Sequence, residues 1–166
     1  CWNESCAEDL RRCYLSAMSS EGLRLRIILP AETHHLRQLV LRPFQPIDEM
    51  EWSFDQADGS FHLGAELGEE LVGVASFVPE RNRALPGWKQ YRLRGMAVHP
   101  AHQAKGIGGK LLGAGLAQLH GKHIDLVWCN AREAARAFYL KAGFSAHDGP
   151  FIIEGIGVHH LMSKRL

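Results

Sequence analysis

The stretch that most constrains this chain is residues 98–112, VHPAHQAKGIGGKLL. An alternating run, YRLRGMAV, ends at His99 and Pro100; glycines at 106, 108 and 109 follow, and a leucine-rich segment starts at once. Glycine reaches backbone angles closed to other residues and lets a ligand approach the main chain. The order therefore reads as strand, tight loop and helix, with several N–H groups converging where the helix begins. Such a nest, at the positive end of a helix, suits phosphate. Lys105 adds a formal charge beside it, and Gln103 a side-chain amide. The same glycines would also serve a plain turn into a packed helix, so the motif alone leaves both readings open. The stretch lacks the G-x-x-x-x-G-K-[ST] spacing of a nucleoside-triphosphate loop. No acidic residue stands about twenty positions on to hold a ribose hydroxyl, although Asp125 comes near.

Bulk composition narrows the class. The 166 residues allow one domain with a full core, and 46% apolar with 22% charged content is that of a globular protein. Nineteen basic residues against eighteen acidic ones give a net charge of +1, too weak a field to make nucleic acid or an anionic membrane the partner. The longest apolar runs, LRIILP and LVGVASFV, fall far short of the roughly 20 residues that cross a bilayer. Four cysteines, at 1, 6, 13 and 129, form no C-x-x-C pair, so neither a disulfide framework nor a zinc site is expected, and a cytoplasmic setting fits. His120 and His123, three apart, lack a third ligand for a metal. Residues 1–17 read as an N-terminal extension or leader and 18–166 as a single domain.

Along the chain, Leu23–Leu29 predicts a strand ended by Pro30, and AETHHLRQLVLR a short helix with Ala31 to Thr33 in its first turn. Two prolines and a D-G pair make FQPIDEMEWSFDQADGS irregular. FHLGAEL and LVGVASFVPE read as an antiparallel hairpin, and YRLRGMAV as a central strand. A helix, GIGGKLLGAGLAQLHGK, carries Leu111, Leu112, Leu116 and Leu119 at helical spacing. The strand IDLVWCN, a helix AREAARAFYLKAG stopped at Gly143, and two last strands around a Gly-rich turn complete an α+β chain on one mixed sheet. Asn130, at the expected strand end, would cap the following helix. The last strand is expected at a sheet edge, compatible with a monomer or a homodimer.

The order strand, V-H-P, Gln103-x-x-Gly106-x-Gly108, leucine-rich helix resembles the coenzyme A pyrophosphate loop of the GNAT superfamily of N-acetyltransferases, [RQ]-x-x-G-x-[GA]. WCNAREAARAFYLKAGF resembles the second cofactor segment of that superfamily, with A-x-x-F-Y-x-x-x-G-F on a helix after an Asn. The resemblance runs from about Leu23 to the carboxyl terminus, and is nearest to the small bacterial ElaA-like group. It implies the acyl-CoA N-acyltransferase fold: an α+β, three-layer α/β/α-like arrangement with a mixed, mostly antiparallel sheet splayed where the cofactor enters, between LRGMAV and DLVWCN. It implies acetyl-CoA as cosubstrate, with no metal, and acetyl transfer by direct attack of a primary amine, from a small molecule or a peptide, in a ternary complex.

On these residues the resemblance places the pantetheine arm along Met96, Ala97 and Val98. It places the pyrophosphate on Gln103, Ala104, Lys105, Gly106, Ile107, Gly108 and Gly109 with Lys110 nearby, and further cofactor contacts at Asn130, Ala135 and Phe138. Tyr139, of the F-Y pair, would protonate the departing thiolate; a tyrosine packed under the sheet is the alternative. Glu154 and His159 are candidate bases; a strand directs His159 and His160 to opposite faces, so one of them at most looks toward the site. His99 either approaches the thioester or caps its turn. Arg42, Gln45, Trp52 and His62 are candidate acceptor contacts, with Phe44 and Trp88 as apolar walls. Cys129 lies in an apolar strand, where a thiol resists ionisation and makes a poor acyl carrier. A non-catalytic acyl-CoA-binding module is the competing class, since fold does not fix function.

Overall fold

In the computed structural model, residues 22–166 are described; the expected extension at 1–17 and the start of the domain at 18 lie outside them. Seven strands form one mixed sheet in the order β1-β2-β3-β4-β5-β7-β6. The described residues fall into two compact units, one of residues 22–76 with Gly95–Leu112, the other of Phe77–Arg94 with Gly113–Leu166.

In the first unit, β1 (Leu23–Ile28) pairs antiparallel with β2 (Phe61–Leu67), Arg24 facing Glu66 and Ile28 facing His62. Glu66 accepts from the guanidiniums of both Arg24 and Arg26, an opposite-charge group on a half-wet face. Leu29 is followed by the helical segment α1, which runs as a 3-10 turn (Pro30–Thr33), one α turn (His34–Leu36) and a π turn (Arg37–Leu41). Its start is fixed by the Leu29 N–H donating to the Glu32 carboxylate at 2.7 Å. The predicted irregular stretch contains two 3-10 turns, Ile47–Met50 and Ser53–Gln56. Gly68, at φ +63°, turns the chain from β2 into β3 (Glu70–Pro79), and the hairpin forms as expected. Ile28, Leu36, Val74 and Ala97 pack together under Val40, Leu41 and Leu71. Gly73 is a glycine because a Cβ there would stand 2.9 Å from Leu111 and 3.0 Å from Ile107.

In the second unit, β4 (Gln90–Val98, its first residues) runs parallel to β5 (Leu126–Arg132) with Gln90, Tyr91 and Arg92 opposite Leu126, Val127 and Trp128. β5 is also antiparallel to β7 (Gly157–Arg165), which pairs with β6 (Ser145–Ile153). The last strand is therefore interior, and β6 is the edge, which corrects the expected placement: β7 finds pairing partners on both sides. α2 (Ile107–Gly121) follows the glycine loop. Gly115 on it allows a close approach, since a Cβ would lie 2.0 Å from Phe77 Cζ. α3 (Arg136–Lys141) enters through a 3-10 turn, Glu133–Ala135, and ends at Gly143, φ +86°. The helix thus starts later than expected. Ala131 is buried and pairs with His160, so the strand continues through Asn130, which sits opposite Leu161 and caps nothing.

Candidate active site

Met96, Ala97 and Val98 close β4 after Gly95, whose φ of +57° bends the strand. The loop that follows is built by its own polar groups. His99 Nδ1 accepts the Ala101 N–H at 3.2 Å, so this histidine caps its turn. Gln103 Nε2 donates back to the Val98 carbonyl at 3.0 Å, and Lys105 Nζ to the Ala101 carbonyl at 3.1 Å. Ala104 (φ +60°) and Gly106 (φ +80°) take left-handed angles, which fold successive amides toward one side. The Lys110 N–H donates to the Gly106 carbonyl. The amides of Ile107, Gly108 and Gly109 therefore precede the hydrogen-bond ladder of α2 and point out of its positive end. A Cβ at Gly106 or Gly109 would meet nothing within 4 Å, so an approaching ligand finds open main chain. Lys105 and Lys110 stand exposed beside it. These residues fit a pyrophosphate: donors without helical partners, two exposed lysines, and open space where a Cβ at Gly106 or Gly109 would stand.

The second unit holds Tyr139 on α3 with 6% of its surface exposed. Its ring meets Phe138 edge-on at 5.1 Å and Phe144 at 5.3 Å, and its hydroxyl hydrogen-bonds the Cys129 sulfur. Burial, with the neighbouring thiol, pushes the phenol well above its ordinary value. Burial pushes the Cys129 thiol up to about 12. Both groups keep their protons at neutral pH. Asn130 is half-buried on β5, and Ala135 and Phe138 are half-buried before and on α3.

His159 and His160 are both buried, and they face opposite sides of β7. His160 Nε2 meets the Glu133 carboxylate at 2.5 Å, on the side of the 3-10 turn before α3. His159 Nδ1 meets the Gly157 carbonyl at 2.8 Å, and its ring lies 6.0 Å from that of Phe151. Glu154 is exposed in the turn between β6 and β7.

One polar centre had no counterpart in the sequence reading. Arg37, with no exposed surface, forms a bidentate pair with the equally buried Asp55 side chain, and it donates to the Met50 carbonyl and to Ser76 Oγ. Its guanidinium lies 4.0 Å from the centre of the Trp52 ring. His62 belongs to the same network, with Nδ1 2.7 Å from Ser76 Oγ and Nε2 3.1 Å from the Asp55 carbonyl. Burial lowers its pKa and keeps it neutral. Both ring nitrogens are thus used internally, and what His62 does is tie β2 to the Asp55 turn. A Cβ at Gly95 would lie 2.7 Å from Arg37 Nε and 2.9 Å from Trp52, so this glycine admits the network against β4. Arg42 and Gln45 share a turn, with the Gln45 N–H on the Arg42 carbonyl at 3.0 Å, and both are half-buried. Phe44 is 99% exposed, and Trp88 is exposed with Arg81 stacked on it at 4.0 Å, so neither walls a pocket.

Among the described residues no group of three or more His, Cys, Asp or Glu could hold a metal ion, and no helix is long and apolar enough to cross a membrane. Residues 28–144 match the model of the acetyltransferase (GNAT) family. The chain is 36% identical over 144 residues to the uncharacterized N-acetyltransferase YitI of Bacillus subtilis (strain 168), covering 87% of this chain and 97% of that protein. Its fold is similar to that of Escherichia coli ElaA (TM-score 0.68, 17% identity, 86% of this chain and 99% of that one). It is also similar to an acyl-CoA N-acyltransferase from Pseudomonas aeruginosa (TM-score 0.64, 19% identity, 86% and 99%).

Proposed function

The chain belongs to the acetyltransferase (GNAT) family, and from that premise we propose that it moves the acetyl group of acetyl-CoA to a primary amine by direct attack within a ternary complex. The observation that carries the reading is the glycine loop. Ala104 and Gly106 take left-handed angles ahead of amides that α2 does not use, in a stretch that carries two exposed lysines, with open space where a Cβ at Gly106 or Gly109 would stand. Acetyl-CoA supplies the activated thioester.

The chain's own residues would do the rest. Gln103 to Gly109 hold the pyrophosphate with Lys105 and Lys110 as countercharges, and Met96, Ala97 and Val98 offer backbone groups to the pantetheine arm. Asn130, Ala135 and Phe138 are further cofactor contacts. Tyr139 donates its proton to the departing sulfur. Its hydroxyl now bonds the Cys129 sulfur, a partner it would exchange for the coenzyme sulfur during transfer. Cys129 itself stays a thiol, which favours direct attack over an acyl-enzyme. Arg42, Gln45 and Trp52 are proposed acceptor contacts, with His62 supporting them through Ser76 and Asp55. His159 and Glu154 are the candidate bases, His159 through its Nε2 side. The cysteine pattern favours a reducing, cytoplasmic setting.

The test is thiol release from acetyl-CoA across a panel of amines. Tyr139→Phe should lower kcat by about a hundredfold, the lower end of what a positioned acid supplies, while the KM for acetyl-CoA stays within about twofold. An unaltered kcat would remove Tyr139 from the chemistry.

A further inference from the structure

Costly local features meet at one point of the first unit, and each of them involves Arg37. Its guanidinium is wholly buried; the two terminal nitrogens pair with the two Asp55 oxygens, and Nε has no hydrogen-bond partner. A buried ion pair adds little net stability, because well-packed apolar side chains of similar volume often do as well, and an unmet buried donor is a further cost. Arg37 also opens the π turn of α1, a rare geometry. Gly95 completes the group: its φ is +57°, and a Cβ would collide with Arg37 Nε and the Trp52 ring. Stability alone does not account for this concentration, whereas a need for fixed geometry does.

What the network holds are the proposed acceptor contacts. The Trp52 ring lies 4.0 Å from the guanidinium carbon, and the Trp52 N–H donates to Asp55 Oδ2 at 3.1 Å. His62 meets Ser76 Oγ and the Asp55 carbonyl, and Ser76 Oγ accepts from Arg37 at 2.8 Å. Arg42 ends the π turn, its N–H on the Arg37 carbonyl at 3.1 Å, and the Gln45 carbonyl accepts from Gln38 Nε2 at 2.9 Å. One guanidinium therefore ties α1, the 50–55 stretch and β3 together, against β4 at Gly95. Met96, the next residue, begins the backbone proposed for the pantetheine arm. Resting on the acetyltransferase reading, we propose that Arg37 is a positioning residue that sets the shape of the acceptor site and so decides which amines are used. It has no exposed surface, so it acts through Trp52 and Arg42. A lysine keeps the charge but lacks the planar fork that engages Asp55 and Ser76 at once.

The experiment measures kcat and KM for a panel of amino acids, polyamines and aromatic amines at saturating acetyl-CoA, with acetyl-CoA affinity by calorimetry, each well below the variant's own Tm. Arg37→Lys should raise the KM of the best amine about tenfold or more, narrow its lead over the other amines, and leave acetyl-CoA affinity within about twofold. Ser76→Ala, which keeps the Arg37–Asp55 pair, should move amine KM and selectivity the same way by about threefold, and it decides the matter if Arg37→Lys does not fold. Leu119→Ala, a buried change on α2 outside the network, should lower the Tm and leave amine KM and selectivity as they are. Folded variants with unaltered amine KM and selectivity overturn the inference. So does an equal KM rise in Leu119→Ala, or a matching loss of acetyl-CoA affinity in the Arg37 and Ser76 variants. A wild-type protein that binds acetyl-CoA and acetylates no amine overturns the acetyltransferase reading first, and this inference with it.

Discussion

A guanidinium without exposed surface must find its counter-charge inside, and Arg37 finds it in Asp55. Removing one partner of such a pair strands the other in low dielectric, which costs about 3–5 kcal/mol. Asp55→Asn should therefore lower the urea midpoint by a corresponding amount, with an unchanged slope, and a loss under 1 kcal/mol would show that water already reaches the pair. Nothing local announces this centre. In AETHHLRQLVLR the arginine reads as one more polar helix residue, and its partner lies 18 positions away in a proline-broken stretch. The contiguous F-Y-x-x-x-G-F context singles out Tyr139 in the sequence, while its burial and its place on α3 come from the fold. That Cys129 would be its partner required the register of β5 against α3. His62, legible as a strand histidine, is assigned its partners by Ser76 and Asp55, neither of them near in sequence.

Among the elements, α2 and its loop test the anion-site argument most cleanly. Gly109 has open space where a Cβ would stand, and an acidic side chain at a helix start is stabilising by itself. Gly109→Asp should keep or slightly raise the Tm while weakening acetyl-CoA binding at least tenfold, as read by calorimetry. Unaltered affinity would move the pyrophosphate elsewhere. This loop, the β2–β3 hairpin and the leucine face of α2 were readable, since each is fixed by residues adjacent in sequence. The end of β5 was not. Asn130 before A-R-E looks like a strand end and cap, but pairing with β7 draws the strand on to Arg132. The position of β7 between β5 and β6 was hidden for the same reason, as strand order is decided by distant partners.

For the whole molecule, charge pairs near β1 set a pH dependence. The hydrogen bond from Arg26 holds Glu32 below the ordinary glutamate range. Burial works to raise Glu66, but its bonds to Arg24 and Arg26 outweigh it and lower its pKa. Carboxylates depressed in the folded state contribute stability that is complete above their unfolded value, about 4.3, and lost as pH falls through the folded value. The Tm should hold from neutral pH to about 5 and fall below it, less steeply in Glu66→Gln. A fall centred near pH 6 would point to histidines instead.

The central claim, that the glycine loop exists to hold coenzyme A, is tested most directly by thermal unfolding with acetyl-CoA, CoA or ATP at about a hundred times a micromolar dissociation constant. Binding to the native state at that ratio adds about 3 kcal/mol. The account predicts a clear rise in Tm with acetyl-CoA and CoA, a smaller one or none with ATP, and loss of the rise in Gly109→Asp. No rise with either CoA species would contradict it and leave Gly106, Gly108 and Gly109 as a turn into a helix.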